Sequence, residues 1–133
     1  MVAEEGRGRE EFCKNSGIGP KNFNPQSVRK QDLEWVMQAE FMVLDYTNGS
    51  WGGGIEFDHA TVLRKALGLK PIPILCLRHK DAKASCLILG IDRQEFSLVF
   101  FEEYETLIEA KELTMRFINS IWKGEHLASH NMY

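Results

Sequence analysis

Cysteine is scarce in this 133-residue chain, and long apolar runs and runs of one charge are missing altogether. Each absence removes a class of protein. Its three cysteines, Cys13, Cys76 and Cys86, show no metal-ligand spacing, and no second His or Cys stands at metal spacing from His59. These residues therefore suggest no metal site. Cys76 and Cys86 lie in apolar surroundings and read as buried thiols of a reducing compartment, so a cytoplasmic or nuclear location is expected. No stretch reads as a signal peptide, a membrane span, a repeat or a low-complexity tract. Sixteen Lys and Arg stand against nineteen Asp and Glu. No basic run interleaved with aromatics points to a nucleic-acid polymer. Neither G-x-G-x-x-G nor a Gly-Lys-Ser/Thr ending occurs, which excludes the dinucleotide fingerprint and the P-loop. What remains is one domain with a single modest core.

The most informative stretch runs from Phe41 to Glu56, FMVLDYTNGSWGGGIE. The apolar run Phe41 to Leu44 predicts a buried strand. Asn48-Gly49 marks a turn, and Ser50-Trp51-Gly52-Gly53-Gly54 reads as a loop before a helix opening at Ile55-Glu56. Strand, glycine loop and helix start mark the ligand-binding end of a parallel α/β sheet. Glycines let the backbone approach a ligand, and the first amides of a helix favour anions. A tight strand-to-helix turn with no ligand is the plain alternative. Glu56 is the distinguishing residue. In the first turn of a helix its carboxylate would sit in a positive field and stay ionised, which suits a nucleophile.

Residues 1–26 read as an irregular segment with one short extended piece at Met1-Val2-Ala3. Asn24-Pro25 predicts a helix start, running to about Ala39, with Val28, Trp35, Val36 and Ala39 on its apolar face. Asp32 lies on nearly the same side, and spacing alone makes it a solvated carboxylate. Glu56 to Leu67 reads as a helix with Ala60, Leu63, Ala66 and Leu67 inward, ended by Gly68. Ile74 to Leu77 is a short apolar strand, Arg78 to Asp81 a polar loop, and Ala84 to Leu89 a short apolar helix or turn. Phe96 to Phe101 reads as a strand buried on both faces. Glu103 to Trp122 reads as a long amphipathic helix with Tyr104, Leu107, Ile108, Phe117, Ile118 and Ile121 toward the sheet. Residues 27–122 thus form the α/β domain, and 123–133 a polar tail. Alternating strands and helices predict a parallel sheet with right-handed crossovers.

Gln31-Asp32-Leu33-Glu34-Trp35, Gln38-Ala39, the apolar strand and Ser50-x-Gly52-x-Gly54-x-Glu56 together resemble the nucleoside 2-deoxyribosyltransferase superfamily. Within it the chain is most similar to the 2′-deoxynucleoside 5′-monophosphate N-hydrolases. The resemblance covers roughly Val28 to Ile118, and the separation of Asp32, Ser50 and Glu56 matches without a gap. It implies a Rossmann-like or flavodoxin-like parallel sheet with helices on both faces. It implies a homodimer and a small-molecule deoxyribonucleotide substrate, split into free base and deoxyribose 5-phosphate without a metal or organic cofactor. Glu56 would be the nucleophile at C1′, and Asp32 would help the base leave. Ser50, with Gly52 and Gly54, would bind the 5′-phosphate, joined by Ser85 from the neighbouring subunit. Family members acting on free nucleosides carry an aspartate where Ser50 stands. Serine there favours a phosphate-bearing substrate.

The chain departs from the family at its start and in the connection from Glu56 to Leu75, which is longer than in the hydrolases. The usual first strand, with its Gly-Ser-Ile-Arg-Gly-Gly type loop, and the helix after it have no counterpart, and Met1 to Glu5 is the candidate remnant of the second strand. A catalytically silent nucleotide-binding or dimerisation paralogue and a nucleoside deoxyribosyltransferase are the alternative readings.

Overall fold

The structure is a computed structural model that describes residues 7–19 and 23–124. The first helix, α1 (Arg7–Ser16), falls where an irregular segment was expected. Its charges explain it: Glu10 near the amino end and Lys14 near the carboxyl end both complement the helix dipole, and they stand at i,i+4 spacing. The expected extended piece at Met1 to Glu5 and the tail beyond Gly124 lie outside the described residues.

Helix α2 (Pro25–Gln38) starts where its chemistry says it should. The Asn24 side chain accepts the Ser27 amide at 2.9 Å, and the Asn24 amide donates back to the Ser27 hydroxyl at 3.1 Å. Such reciprocal capping satisfies two of the orphan donors of a helix start, and Pro25 has no amide to satisfy. Strand β1 (Met42–Asp45) follows, and then α3 (Trp51–Asp58). The glycines are helical rather than looped. The Ser50 hydroxyl accepts the Gly53 amide at 3.1 Å, and Gly54 donates to the Ser50 carbonyl at 3.2 Å. Glycine at 53 suits the space, because a Cβ there would meet Leu44 Cδ1 at 3.2 Å, and the leucine would have to give way by a few tenths of an ångström. The bare backbone lets the first turn of α3 press onto β1.

The helix continues through a π turn (His59–Leu63) into α4 (Arg64–Ala66). The Thr61 hydroxyl donates to the Phe57 carbonyl at 2.8 Å, competing with the α ladder where it widens. Gly68, at φ +69°, ends the run as expected. Ala60 is buried, but Ala66 and Leu67 face solvent instead of the core, since they lie beyond the sheet edge in the last turn.

Strand β2 (Ile74–His79) is two residues longer than expected, and β3 (Val99–Tyr104) is shifted from 96–101. The cause lies in the connection. Asp92 accepts the amides of Gln94 and Glu95 through its side chain and that of Phe96 through its carbonyl, which holds Phe96 in a turn. Register then pairs Ile74 with Val99 and carries β3 on until His79 meets Tyr104. Between them lie α5 (Cys86–Leu89), and after β3 comes α6 (Leu107–Trp122), capped by Thr106. Because the helix starts at Leu107 and not at Glu103, Tyr104 ends a strand, and Leu107 and Ile108 are exposed instead of facing the sheet.

The three strands form one parallel sheet in the order β1-β2-β3. Its alternation divides the core. Leu44, Ile74, Cys76 and Val99 pack with Phe57, Ala60 and Ile88 on the face covered by α2, α3 and α5. Leu75, Leu77 and Phe100 pack with Phe117, Leu113 and Ile121 of α6 on the other. This is a Rossmann-like α/β fold with helices on both faces. Cys76 is buried as expected, whereas Cys86 is exposed, because α5 turns only Ile88 inward. Among the described residues no helix is long and apolar enough to cross a membrane.

Candidate active site

The strands place their carboxyl ends together, and the helices that follow or precede them bring side chains over that end. Asp45 closes β1 there. It accepts the Thr47 amide at 2.9 Å and the Tyr104 hydroxyl at 2.7 Å, across the whole sheet. Thr47 in turn accepts the His79 amide at 3.0 Å. Partial burial pushes the Asp45 carboxyl up, but the hydrogen bonds from Thr47 and Tyr104 outweigh it and hold the group below its ordinary value.

Beside this rim a cavity of about 490 Å³ lies between α2 and α3. Val28, Arg29, Asp32 and Leu33 form one wall, and Gly52, Ile55 and Glu56 the other, with Phe23 and Asn24 at the start of α2. Asp32 and Glu56 are half-buried. Among the described residues neither carboxylate has a hydrogen-bond or ion-pair partner. Burial raises the Asp32 carboxyl above its ordinary value. Burial, and then the negative charge of Asp32, raises that of Glu56. With no donor on either among the described residues, both acids hold a proton more readily than a free carboxyl does.

Glu56 thus differs from its expected state. Because α3 begins at Trp51, Glu56 falls in the second turn of the helix. The field of the helix start fades within the first turn, so burial and Asp32 dominate. Asp32 is likewise no solvated helix carboxylate: the apolar residues around it include Val28 and Leu33 of its own helix.

The fold brings Asp32, Glu56 and Gly52 to one cavity; Ser50, Gly54 and Ser85 are not among its lining residues. Ser50 caps α3. Ser85 caps α5 by position, without a side-chain capping bond. Of the expected anion donors, the Gly53 and Gly54 amides are engaged inside the helix start, which leaves those of Trp51 and Gly52. Arg29 was overlooked in the sequence. Its signal was spacing, since it precedes Asp32 by three residues and so shares its helix face.

A second cavity, of about 410 Å³, lies at the amino end of β2 and β3. Its acid, Glu95, is tied to Lys65 at 2.7 Å, and no pair of acids meets there. Among the described residues no group of three His, Cys, Asp or Glu side chains is arranged to hold a metal ion.

The chain is 29% identical over 89 residues to a protein of Thermofilum pendens provisionally named 2′-deoxynucleoside 5′-phosphate N-hydrolase 1. The match takes in 67% of this chain and spans 59% of that relative's length. No family model matches the chain, and no solved structure matches it significantly.

Proposed function

We propose that the cavity between α2 and α3 hydrolyses the N-glycosidic bond of 2′-deoxynucleoside 5′-monophosphates. The observation that carries this reading is the meeting of Asp32 and Glu56, from two helices, in one cavity, neither of them hydrogen-bonded among the described residues. The similarity to the T. pendens protein supports the substrate class.

Retaining glycosidases work with such a pair, one acid as nucleophile and one as proton carrier. The Glu56 carboxylate forms a bond to C1′ as the bond from C1′ to the base nitrogen breaks. The base leaves with that electron pair and takes a proton from Asp32, which is left ionised. Water then gives a proton to Asp32 and its oxygen to C1′. That step frees Glu56 and releases deoxyribose 5-phosphate. Incubation with a deoxynucleoside 5′-monophosphate, followed by chromatography of the free base, tests the reaction. Transfer of the sugar to an added base would make the protein a deoxyribosyltransferase. Nucleotide binding with no turnover would make it a silent paralogue.

The assignment of roles has its own test. Burial raises both carboxyls, and the charge of Asp32 adds to the rise of Glu56, so the roles turn on which acid bonds to C1′. Trapping the glycosyl-enzyme and mapping the modified peptide decides between the acids. An adduct on Glu56 is expected, and one on Asp32 would reverse the roles.

Assembly belongs to the same reading. Leu87 of α5 is 93% exposed, and Leu89 beside it is exposed too. A second copy covering α5 would bury both and carry Ser85 toward the partner's phosphate site. Sedimentation at micromolar concentration is expected to give a dimer, and a fully active monomer would remove Ser85 from the site.

A further inference from the structure

Arg29 is the basic side chain among the residues that line the carboxylate cavity. It stands one helical turn before Asp32 on α2, toward the carboxyl end of the sheet, as Gly52 stands one turn before Glu56 on α3. Each thus stands nearer the amino end of its helix than the acid it precedes, and the two lie on opposite walls of the cavity. Arg29 is exposed, and among the described residues it forms no ion pair. It is not among the groups that shift either carboxyl, so its charge is not spent on them.

A phosphate entering this cavity meets two acids that repel it. Against them the start of α3 offers the amides of Trp51 and Gly52, because those of Gly53 and Gly54 are taken by Ser50. Two neutral donors are weak recompense for a dianion. A guanidinium supplies a full charge and a planar fork that matches phosphate oxygens in pairs.

We infer that Arg29 is the phosphate-recognition residue of this cavity, closing on a 5′-phosphomonoester from the α2 wall while the Trp51 and Gly52 amides hold it from the α3 wall. The identity of the ligand as a deoxyribonucleotide rests on the reading under Proposed function. The need for a cation against the acids does not.

The test uses the whole chain and deoxyribose 5-phosphate as probe, titrated calorimetrically beside free deoxyribose. Arg29→Ala is expected to weaken the phosphate-bearing sugar by roughly 10- to 100-fold, the range of a charge-assisted hydrogen-bonding pair. Arg29→Lys should recover part of the loss, as charge returns without the fork. With a deoxynucleoside 5′-monophosphate as substrate, Arg29→Ala should raise KM and leave kcat nearly unchanged. Arg29 is exposed, so folding is not at risk, and circular dichroism verifies it. Unchanged affinity in Arg29→Ala, or no binding of the probe by the native chain, overturns the inference. So does an equal loss with nucleoside and nucleotide, which would assign Arg29 to the base. Native hydrolysis with an unaffected Arg29→Ala variant defeats the inference and spares the proposed reaction. Arg29-dependent binding without hydrolysis does the reverse.

Discussion

Two acidic regions sit at the carboxyl end of this sheet, and their carboxyls are pushed in opposite directions. Asp45 is exposed, yet Thr47 and Tyr104 hold it below its ordinary value. Asp32 and Glu56 are half-buried, have no donors among the described residues, and rise. Burial acts upward on all three. Donors make the difference, because a hydrogen bond to the ionised form outweighs partial desolvation. The first region spends its carboxylate on tying β1 to β3 across β2. The second leaves its carboxylates unspent in a cavity, where perturbed acids are candidates for chemistry.

The comparison breaks first at Glu56. If the second region is the reactive one, Glu56→Gln should lower turnover by about 10⁴-fold or more, as removal of a nucleophile does. Binding of nucleotide should survive, measured by calorimetry. Normal turnover would move the nucleophile elsewhere. Asp32→Asn should cost less, roughly 10²- to 10⁴-fold in kcat, the usual share of a general acid. That loss should shrink with substrates whose base leaves easily, read from a series of modified bases.

The rate should also fall in acid, from a higher pH than a free glutamate would give, as the raised Glu56 carboxyl takes up its proton. A pH–rate profile with its acid limb at the value of a free carboxyl would contradict the buried pair. At the other region, Tyr104→Phe should destabilise the fold by roughly 1–2 kcal/mol and leave kcat unchanged, since it removes the hydroxyl's hydrogen bonds with Asp45 and Thr47. Urea unfolding at neutral pH measures it.

The smallest effects carry the sharpest contrast. A depressed carboxyl contributes stability above its unfolded pKa and loses it as pH falls through the folded value. Asp45→Asn should therefore lower the melting temperature at pH 7, with the deficit vanishing in acid. A raised carboxyl costs stability once ionised, so Glu56→Gln should raise the melting temperature at pH 7, with the gain vanishing in acid. The same sign for both variants would erase the distinction.

Much of the fold was legible because its signals are local. Asn24-Pro25 capped α2, Gly68 took positive φ, and the apolar runs at β1 and β2 became strands. Each depends on a few adjacent atoms. The misreadings came where distant atoms decide. Glycine-rich sequence at 52–54 signals a loop, but the Ser50 cap and the contact with Leu44 make it a helix. Glu102 and Glu103 look unlike strand residues, yet pairing with β2 and the Arg78–Glu103 ion pair keep them in β3. Cys86 and Leu87 look like core, and the turn of α5 sends them outward.

By itself the sequence determined the parallel sheet and the order of elements from α2 onward, since periodicity and capping act within a few residues. Only the tertiary structure decided that Asp32 and Glu56 face each other, that burial raises both, and that Arg29 shares their cavity. The charge state of a carboxyl depends on every group within a few ångströms of it. Those neighbours come from a different helix, and chain order says nothing of the distance between them.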